Sequence, residues 1–487
     1  MSRMVLVVLI LALCVSPAVV QSAPLDDHVV LVWNDLGMHC MNRDHATLSI
    51  LPPFNTLEAQ VVQRGDATHL PVLLESGVTL TYSVPGNTYS VGKTDFWDWD
   101  QALFGVDLPP DVGLTGLGLT GEFTFENGRW RAEGIPITPF PDATPTVENP
   151  YQLAEVIAWD ASQVQLAASR PVIPTSTEVN CVTSGCHSSE QAILNQHEDE
   201  GGFNPNNTPI LCASCHASPA LGTPGIGEAG YFSFRIHDQH QFLDETRPGL
   251  AGCQMCHPGP QANCLRGTMA TDYGMICQDC HGDLGQVAGS IEHQGRVPWV
   301  DEPACRDCHT AQYGEPVGQL YRNSTGHGGV ACIACHGSPH AIWPSREAND
   351  NVLATELQGH AGALSDCTVC HGVIPAGPGP HGMDAPSSVN FTPDGVSGLT
   401  VFPSPVGAGS GVTVRGAARP AVPGKLLVFD ARGRTVRMLR STGGADGRVE
   451  LAWDGRTADG RAVGAGTYFL RWDDGGVPVT GKMQVVK

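Results

Sequence analysis

Leucine, isoleucine, valine and phenylalanine are scarce where a folded domain most needs them, making up only 31 of the 191 residues from Cys181 to His371. A charged segment below ~20% in these residues is ordinarily disordered, so a conventional apolar core is excluded there unless something else fills it. Positive charge is also short. The 27 Lys and Arg against 49 Asp and Glu leave a formal charge of −22, and no basic stripe relieves it. Such a chain repels nucleic acid and suits basic docking faces, metal cations or oxides. Beyond the first 23 residues no run approaches ~18 uninterrupted apolar residues, so no membrane-spanning helix is expected. Histidine and cysteine vanish after about Pro393.

What the chain does contain begins with a leader. Met1 to Ala23 joins one cation (Arg3), an apolar run from Met4 to Val15 and small residues at Ala18 and Ala23. That is the layout of a secretory signal peptide. Cys14 does not extend it to a lipoprotein signal, because Leu13 stands where a small residue is required. The expected location is therefore outside the cytoplasm: periplasm, cell surface or medium.

Cysteine and histidine are concentrated in one pattern. Six segments read C-x-x-C-H: Cys212, Cys215, His216; Cys253, Cys256, His257; Cys277, Cys280, His281; Cys305, Cys308, His309; Cys332, Cys335, His336; and Cys367, Cys370, His371. A seventh, Cys181, Cys186, His187, is a wider variant with four residues between the thiols. This spacing is the attachment site of haem c, in which two thiols bond to the porphyrin edge and the adjoining histidine becomes the proximal iron ligand. Structural zinc would need pairs of C-x-x-C units closing one tetrahedron, and a disulfide framework needs no histidine at all. Neither explains a histidine after every second cysteine. Seven covalent haems would supply the apolar interior that the segment lacks, so its folding is expected to depend on them.

Eight further histidines punctuate the same segment: His197, His237, His240, His293, His327, His340, His360 and His381. They are candidates for the sixth ligand of each iron, slightly more than seven haems require, with one of His237 and His240 the expected spare. Bis-histidine ligation predicts low reduction potentials. Met255, Met269, Met275 and Met383 are possible substitutes better suited to packing. A compact segment of about 210 residues has a radius of gyration near ~17 Å, so seven macrocycles within it must be close neighbours.

Composition divides the chain into a signal peptide (1–23), a β-rich N-terminal domain (24–175), a heptahaem domain (176–385), and a linker with a C-terminal immunoglobulin-like domain (386–487). The first domain is expected to be β-sandwich-like. Glu122 to Glu126, Asn127-Gly128 and Arg129 to Glu133 read as a type I′ hairpin placing Phe125 opposite Trp130 and Phe123 opposite Ala132, with Val78–Val84 a further strand. The haem domain is expected to hold short helices and little regular structure. The last domain shows strand patterns at Val412–Arg415, Lys425–Phe429, Thr435–Leu439, Arg448–Trp453, Thr467–Trp472 and Lys482–Val486, the spacing of an immunoglobulin-like sandwich.

Two resemblances follow from these residues. The haem segment, with units such as Gly326 to Gly337, resembles exported bacterial multihaem c-type cytochromes, as do Leu36 to Asp44 and Ser49 to Asn55. Leu427 to Leu439, Trp453-Asp-Gly-Arg, Gly464 to Leu470 and Gly481-Lys-Met resemble the immunoglobulin-like domain of flagellar hook-capping proteins, which implies display, sorting or anchoring. The first resemblance implies an electron carrier serving redox partner proteins or extracellular acceptors, with a homopolymer joined through haems as one form. The alternative is an oxidoreductase acting on a small nitrogen or sulfur compound at one open haem. Nitrite reductases of that broad group mark the open iron with lysine, and residues 176–385 contain none. Tyr231, Tyr273, Tyr313 and Tyr321 remain as residues that a tyrosine-modified haem would need.

Cys40 and Cys264 fall outside every motif and could pair as a disulfide in an oxidising compartment. His39, Cys40 and His45 lie close enough in sequence for a small metal site, or His39 or His45 could instead cap a haem from across the domain boundary; against both stands ordinary packing and hydrogen bonding.

Overall fold

The computed structural model describes residues 27–199, 203–259, 261–309, 313–375 and 379–382, and from 399 onwards most of the chain, leaving out 403–405, 408–409, 418–421, 431–434, 443, 445–447, 459, 475–478 and 487. The signal-peptide reading and Met383 lie outside the described residues. The chain divides into two compact units, 1–385 and 386–487. It is mostly β-sheet with few, short helices.

In the first unit two antiparallel sheets share one apolar interior. One runs His28–Asn34, Asn55–Gln63, Arg129–Ile135, Thr124–Glu126, with Val72–Leu74 added on Asn55–Gln63; the other runs Gln165–Ser169, Glu155–Asp160, Val78–Ser83, Thr120–Glu122. Val30, Val32, Leu57, Ala59, Val61 and Trp130 meet Leu80, Tyr82, Val156 and Ala158 between them. The hairpin forms with Phe125 opposite Trp130, and Asn127 and Gly128 take the positive φ values, 50° and 78°, of the expected turn. Phe123 does not continue that ladder. Its amide bonds to Leu80 O at 2.9 Å, and the chain passes there from one sheet to the other.

His28–Asn34 decides how the cysteine-rich segment is held. Its apolar run is buried on both faces, and alternate side chains part company. Val30 and Val32 enter the sandwich, while Val29, Leu31 and Trp33 pack with Tyr321, Ala331, Ile333, Ala334 and Val369. Hydrogen bonds complete the seam: Gln60 Nε2 donates to Gly329 O (3.1 Å), Ala331 N to Gln60 Oε1 (2.9 Å) and Gly65 N to Cys370 O (2.9 Å). Arg266, fully buried, donates to both carboxylate oxygens of Asp350 (2.6 and 2.7 Å) and to Gly37 O (2.7 Å). A buried charge needs such saturation, because removing its partner costs several kcal/mol, about 3–5.

In the second unit the sheets are Thr400–Phe402, Val412–Ala417, Arg448–Trp453 and Val406–Gly407, Val479–Val486, Gly466–Asp473, Pro423–Asp430, Thr435–Thr442. Tyr468, Leu470 and Trp472 alternate inward against Trp453, Leu426 and Val428. Gly424 lies under the Trp472 indole, where a Cβ would stand 2.4 Å from the ring.

Candidate metal centre

Five of the seven motifs form a short helical turn. Cys277–His281 and Cys332–His336 are α-helical; Cys212–Ser214, Cys305–Asp307 and Cys367–Val369 are 3₁₀ turns. In four motifs the histidine amide returns to the carbonyl of the first cysteine: His216 N to Cys212 O (3.0 Å), His257 N to Cys253 O (2.9 Å), His309 N to Cys305 O (2.8 Å) and His371 N to Cys367 O (2.9 Å). The wide variant ends in the same closure, with His187 N donating to Cys181 O at 3.1 Å across the longer loop. A single turn thus offers two thiols and an imidazole from one patch of backbone.

The histidines then meet in pairs. His187 faces His240 with ring centroids 6.2 Å apart, His216 faces His197 (6.0 Å), and His257 faces His237 (6.1 Å). His281 faces His340 (6.3 Å), His336 faces His381 (6.0 Å), and His371 faces His327 (6.1 Å). Each pair joins one motif histidine to one histidine from outside the motifs. Two imidazole nitrogens bound at about 2.0–2.1 Å on opposite sides of one metal would put the ring centroids about 6.3–6.5 Å apart, at or just beyond the spacings here. Aromatic contacts span roughly 4.5–7 Å, so spacing alone would not decide. The one-to-one composition is the more telling observation, because unspecific ring contacts have no reason to avoid pairing two motif histidines.

Backbone carbonyls orient four of these rings. His216 Nδ1 donates to Ala229 O (3.1 Å), His237 Nδ1 to Ser233 O (2.6 Å), His240 Nδ1 to Ile236 O (2.7 Å) and His340 Nδ1 to Leu36 O (2.9 Å). A carbonyl can only accept, so a proton sits on Nδ1, and in the neutral ring Nε2 keeps its lone pair, the arrangement found around metal-ligating histidines. The carbonyl partners were not singled out in the sequence. Those of His237 and His240 lie four residues back on the Phe232–Gln239 helix and its cap, so helix geometry supplies them. Desolvation, ahead of neighbouring imidazoles, holds His257 and His281 below the usual histidine range, although both keep an exposed ring face. Burial lowers His237 and His336 likewise. Neutral imidazole is the ligating form. His340 moves the other way, to about 9, chiefly through Cys264 beside it, so at neutral pH its Nε2 carries a proton that it would have to release to ligate.

Neither His237 nor His240 is spare, since each faces a different motif histidine. His293 and His360 are not brought against one: His293 is 72% exposed beside Glu292 (3.2 Å), and exposed His360 turns Nδ1 to Ala361 O (3.0 Å).

The motifs also touch one another. Asn180, just before Cys181, donates to Cys256 O (3.1 Å) and to His257 O (3.4 Å). Gln278 Nε2 reaches Cys253 Sγ at 3.2 Å, and Leu364 N donates to Cys335 O at 2.8 Å. Cys305, Cys332 and Cys370 border one apolar cluster around Tyr321 and Ile333. The helix Glu190–Asp199 leaves the first motif and carries His197 to the second.

The other candidates resolve differently. Cys40 and Cys264 are free thiols that border a common cluster with Met38, Tyr151 and Ala262. His39 and His45 do not converge with Cys40 as ligands. His39 Nε2 pairs with Asp35 at 2.7 Å and His45 Nδ1 bonds Ser49 Oγ at 2.9 Å. Among the described residues no group of three or more His, Cys, Asp or Glu is placed to hold a bare metal ion. A metal already carried by a porphyrin asks only two side chains of the protein.

The two-sheet sandwich closing the chain is an immunoglobulin-like domain. More narrowly, residues 406–472 match the FlgD Ig-like domain family. No curated protein matches the chain. Among solved structures, PorZ of Porphyromonas gingivalis, described as an essential bacterial surface component of the type-IX secretion system, is 25% identical with a TM-score of 0.15. That match covers 18% of this chain and 12% of PorZ. Dimeric latent PorU from the same organism is 11% identical over 95% of this chain and 34% of PorU, with a TM-score of 0.17. The chain thus spans far less than two thirds of either structure. Within the first unit no described helix is long and apolar enough to cross a membrane, nor is any in the second.

Proposed function

We propose that this chain is an exported multihaem c-type cytochrome that carries electrons through seven covalently bound haems, most of them ligated by two histidines. The six one-to-one histidine pairs at 6.0–6.3 Å carry this reading. Bound haem would supply an iron that gains and loses one electron. The chain's own residues do the rest. Fourteen motif thiols would anchor the porphyrin edges, and motif histidines with their partners would close both faces of the iron. The carbonyls of Leu36, Ala229, Ser233 and Ile236 hold Nε2 ready to ligate, in His340 once its proton has left. Contacts between successive motifs keep the redox centres close together, as electron transfer between them requires. The exit of electrons to redox partner proteins or to extracellular acceptors suits the acidic chain and its C-terminal immunoglobulin-like domain.

Mass spectrometry of protein made in a host competent in cytochrome maturation tests the proposal. The expected result is an added mass of seven haems, with a spectrum fully reduced by dithionite and only partly by ascorbate. Colourless protein would remove the reading.

A further inference from the structure

The seven motifs are not equivalent. All 19 histidines lie among the described residues, and six motif histidines face a partner ring. His309 does not. It stands exposed with Cys308 and Asp307 at the surface. Six histidines are left over: His293 and His360 are exposed and committed to Glu292 and to Ala361 O, exposed His69 faces Asp66, buried His39 and His45 bond Asp35 and Ser49, and His28 opens the first strand. Buried polar groups lie around this motif. Glu315 is 4% exposed, accepts from Arg306 N at 3.5 Å through Oε1, and leaves Oε2 buried without a hydrogen-bond partner. Glu302 accepts from Arg322 N at 3.2 Å.

Resting on the haem reading above, we infer that the Cys305–His309 centre keeps its sixth coordination position free of any histidine of this chain and takes a small external ligand, such as a diatomic molecule, there. Its iron would differ from the other six in spin state, because one strong-field ligand is missing.

Carbon monoxide added to the full-length, dithionite-reduced protein is the probe. Haem content is first fixed by mass. With seven haems present, one haem in seven is expected to be high-spin by electron paramagnetic resonance of the oxidised protein and, once reduced, to shift its absorption with carbon monoxide. His240→Ala is expected to raise that share to two in seven, whereas His293→Ala and His360→Ala leave it at one. Seven haems with no high-spin share, or a doubled share in either of the last two variants, would overturn the inference while sparing the carrier reading. Protein without haem would remove the reading itself, and this inference with it.

Discussion

His45 is a residue where pH acts on the fold, apart from the paired histidines. Its ring is completely buried, bonds Ser49 Oγ, stacks edge-on with Phe96 at 5.4 Å and leaves Nε2 without a partner. Burial outweighs the Asn42 carbonyl and Asp44, and pushes its pKa from 6.5 down to about 4. Between those values the unfolded chain binds a proton that the folded chain refuses. Stability therefore rises with pH across this window and is lost as pH falls from 6.5 toward 4, by at most about 3 kcal/mol. Denaturant titrations of wild type and His45→Leu at pH 7 and pH 4.5 check this. The variant is less stable at pH 7, and the gap is expected to narrow on acidification. At this scale the sequence announced the motif cysteines and histidines almost completely, because local spacing encodes them. It could not announce the pairing. His237 and His240 sit three positions apart on one helix and its cap, yet reach His257 and His187. Nothing local distinguishes them, since their partners are chosen by how distant segments fold.

Among the elements, the strand His28–Asn34 has the largest reach. An uninterrupted apolar run is legible as a strand buried on both sides, but not what covers the second side. Here that side is the cysteine-rich segment, and Leu31, fully buried, is the middle of the contact. Leu31→Ala is expected to destabilise the protein by roughly 2–4 kcal/mol through the cavity it opens. The loss should be directional: limited proteolysis cuts faster between Tyr321 and His371. Val30→Ala removes volume from the opposite face and should weaken the sandwich without that selective cleavage. Equal cutting in both variants would mean that the strand does not join the two regions. The hairpin shows a related limit. Asn127-Gly128 fixed the turn and the Phe125–Trp130 pair, because turn chemistry is local. The departure of Phe123 to Leu80 was hidden, because an alternating pattern continues unchanged when a strand changes sheets.

For the whole molecule, the decisive contrast lies between a segment poor in aliphatic residues and a C-terminal unit with a complete core of its own. Residues 386–487 bury Trp453, Trp472, Leu426, Val428, Val414 and Leu470 against one another. Burying large apolar side chains contributes about 1.5–3 kcal/mol each, enough for such a sandwich to stand without a cofactor. The cysteine-rich segment has short turns, exposed motif histidines and small clusters such as the one around Leu103 and Leu211. Its ordering entropy has to be offset by something other than its own side chains. Chain produced without haem maturation should therefore digest in two phases. The region from Cys181 to His371 is expected to disappear at low protease, and a fragment containing the C-terminal sandwich to persist with a cooperative thermal transition. Matured protein should resist across both regions. If the immature chain proved as resistant between Cys181 and His371 as the matured one, the porphyrins could not be its interior, and the reason for its missing aliphatic residues would have to be sought in the β-sandwich that covers it.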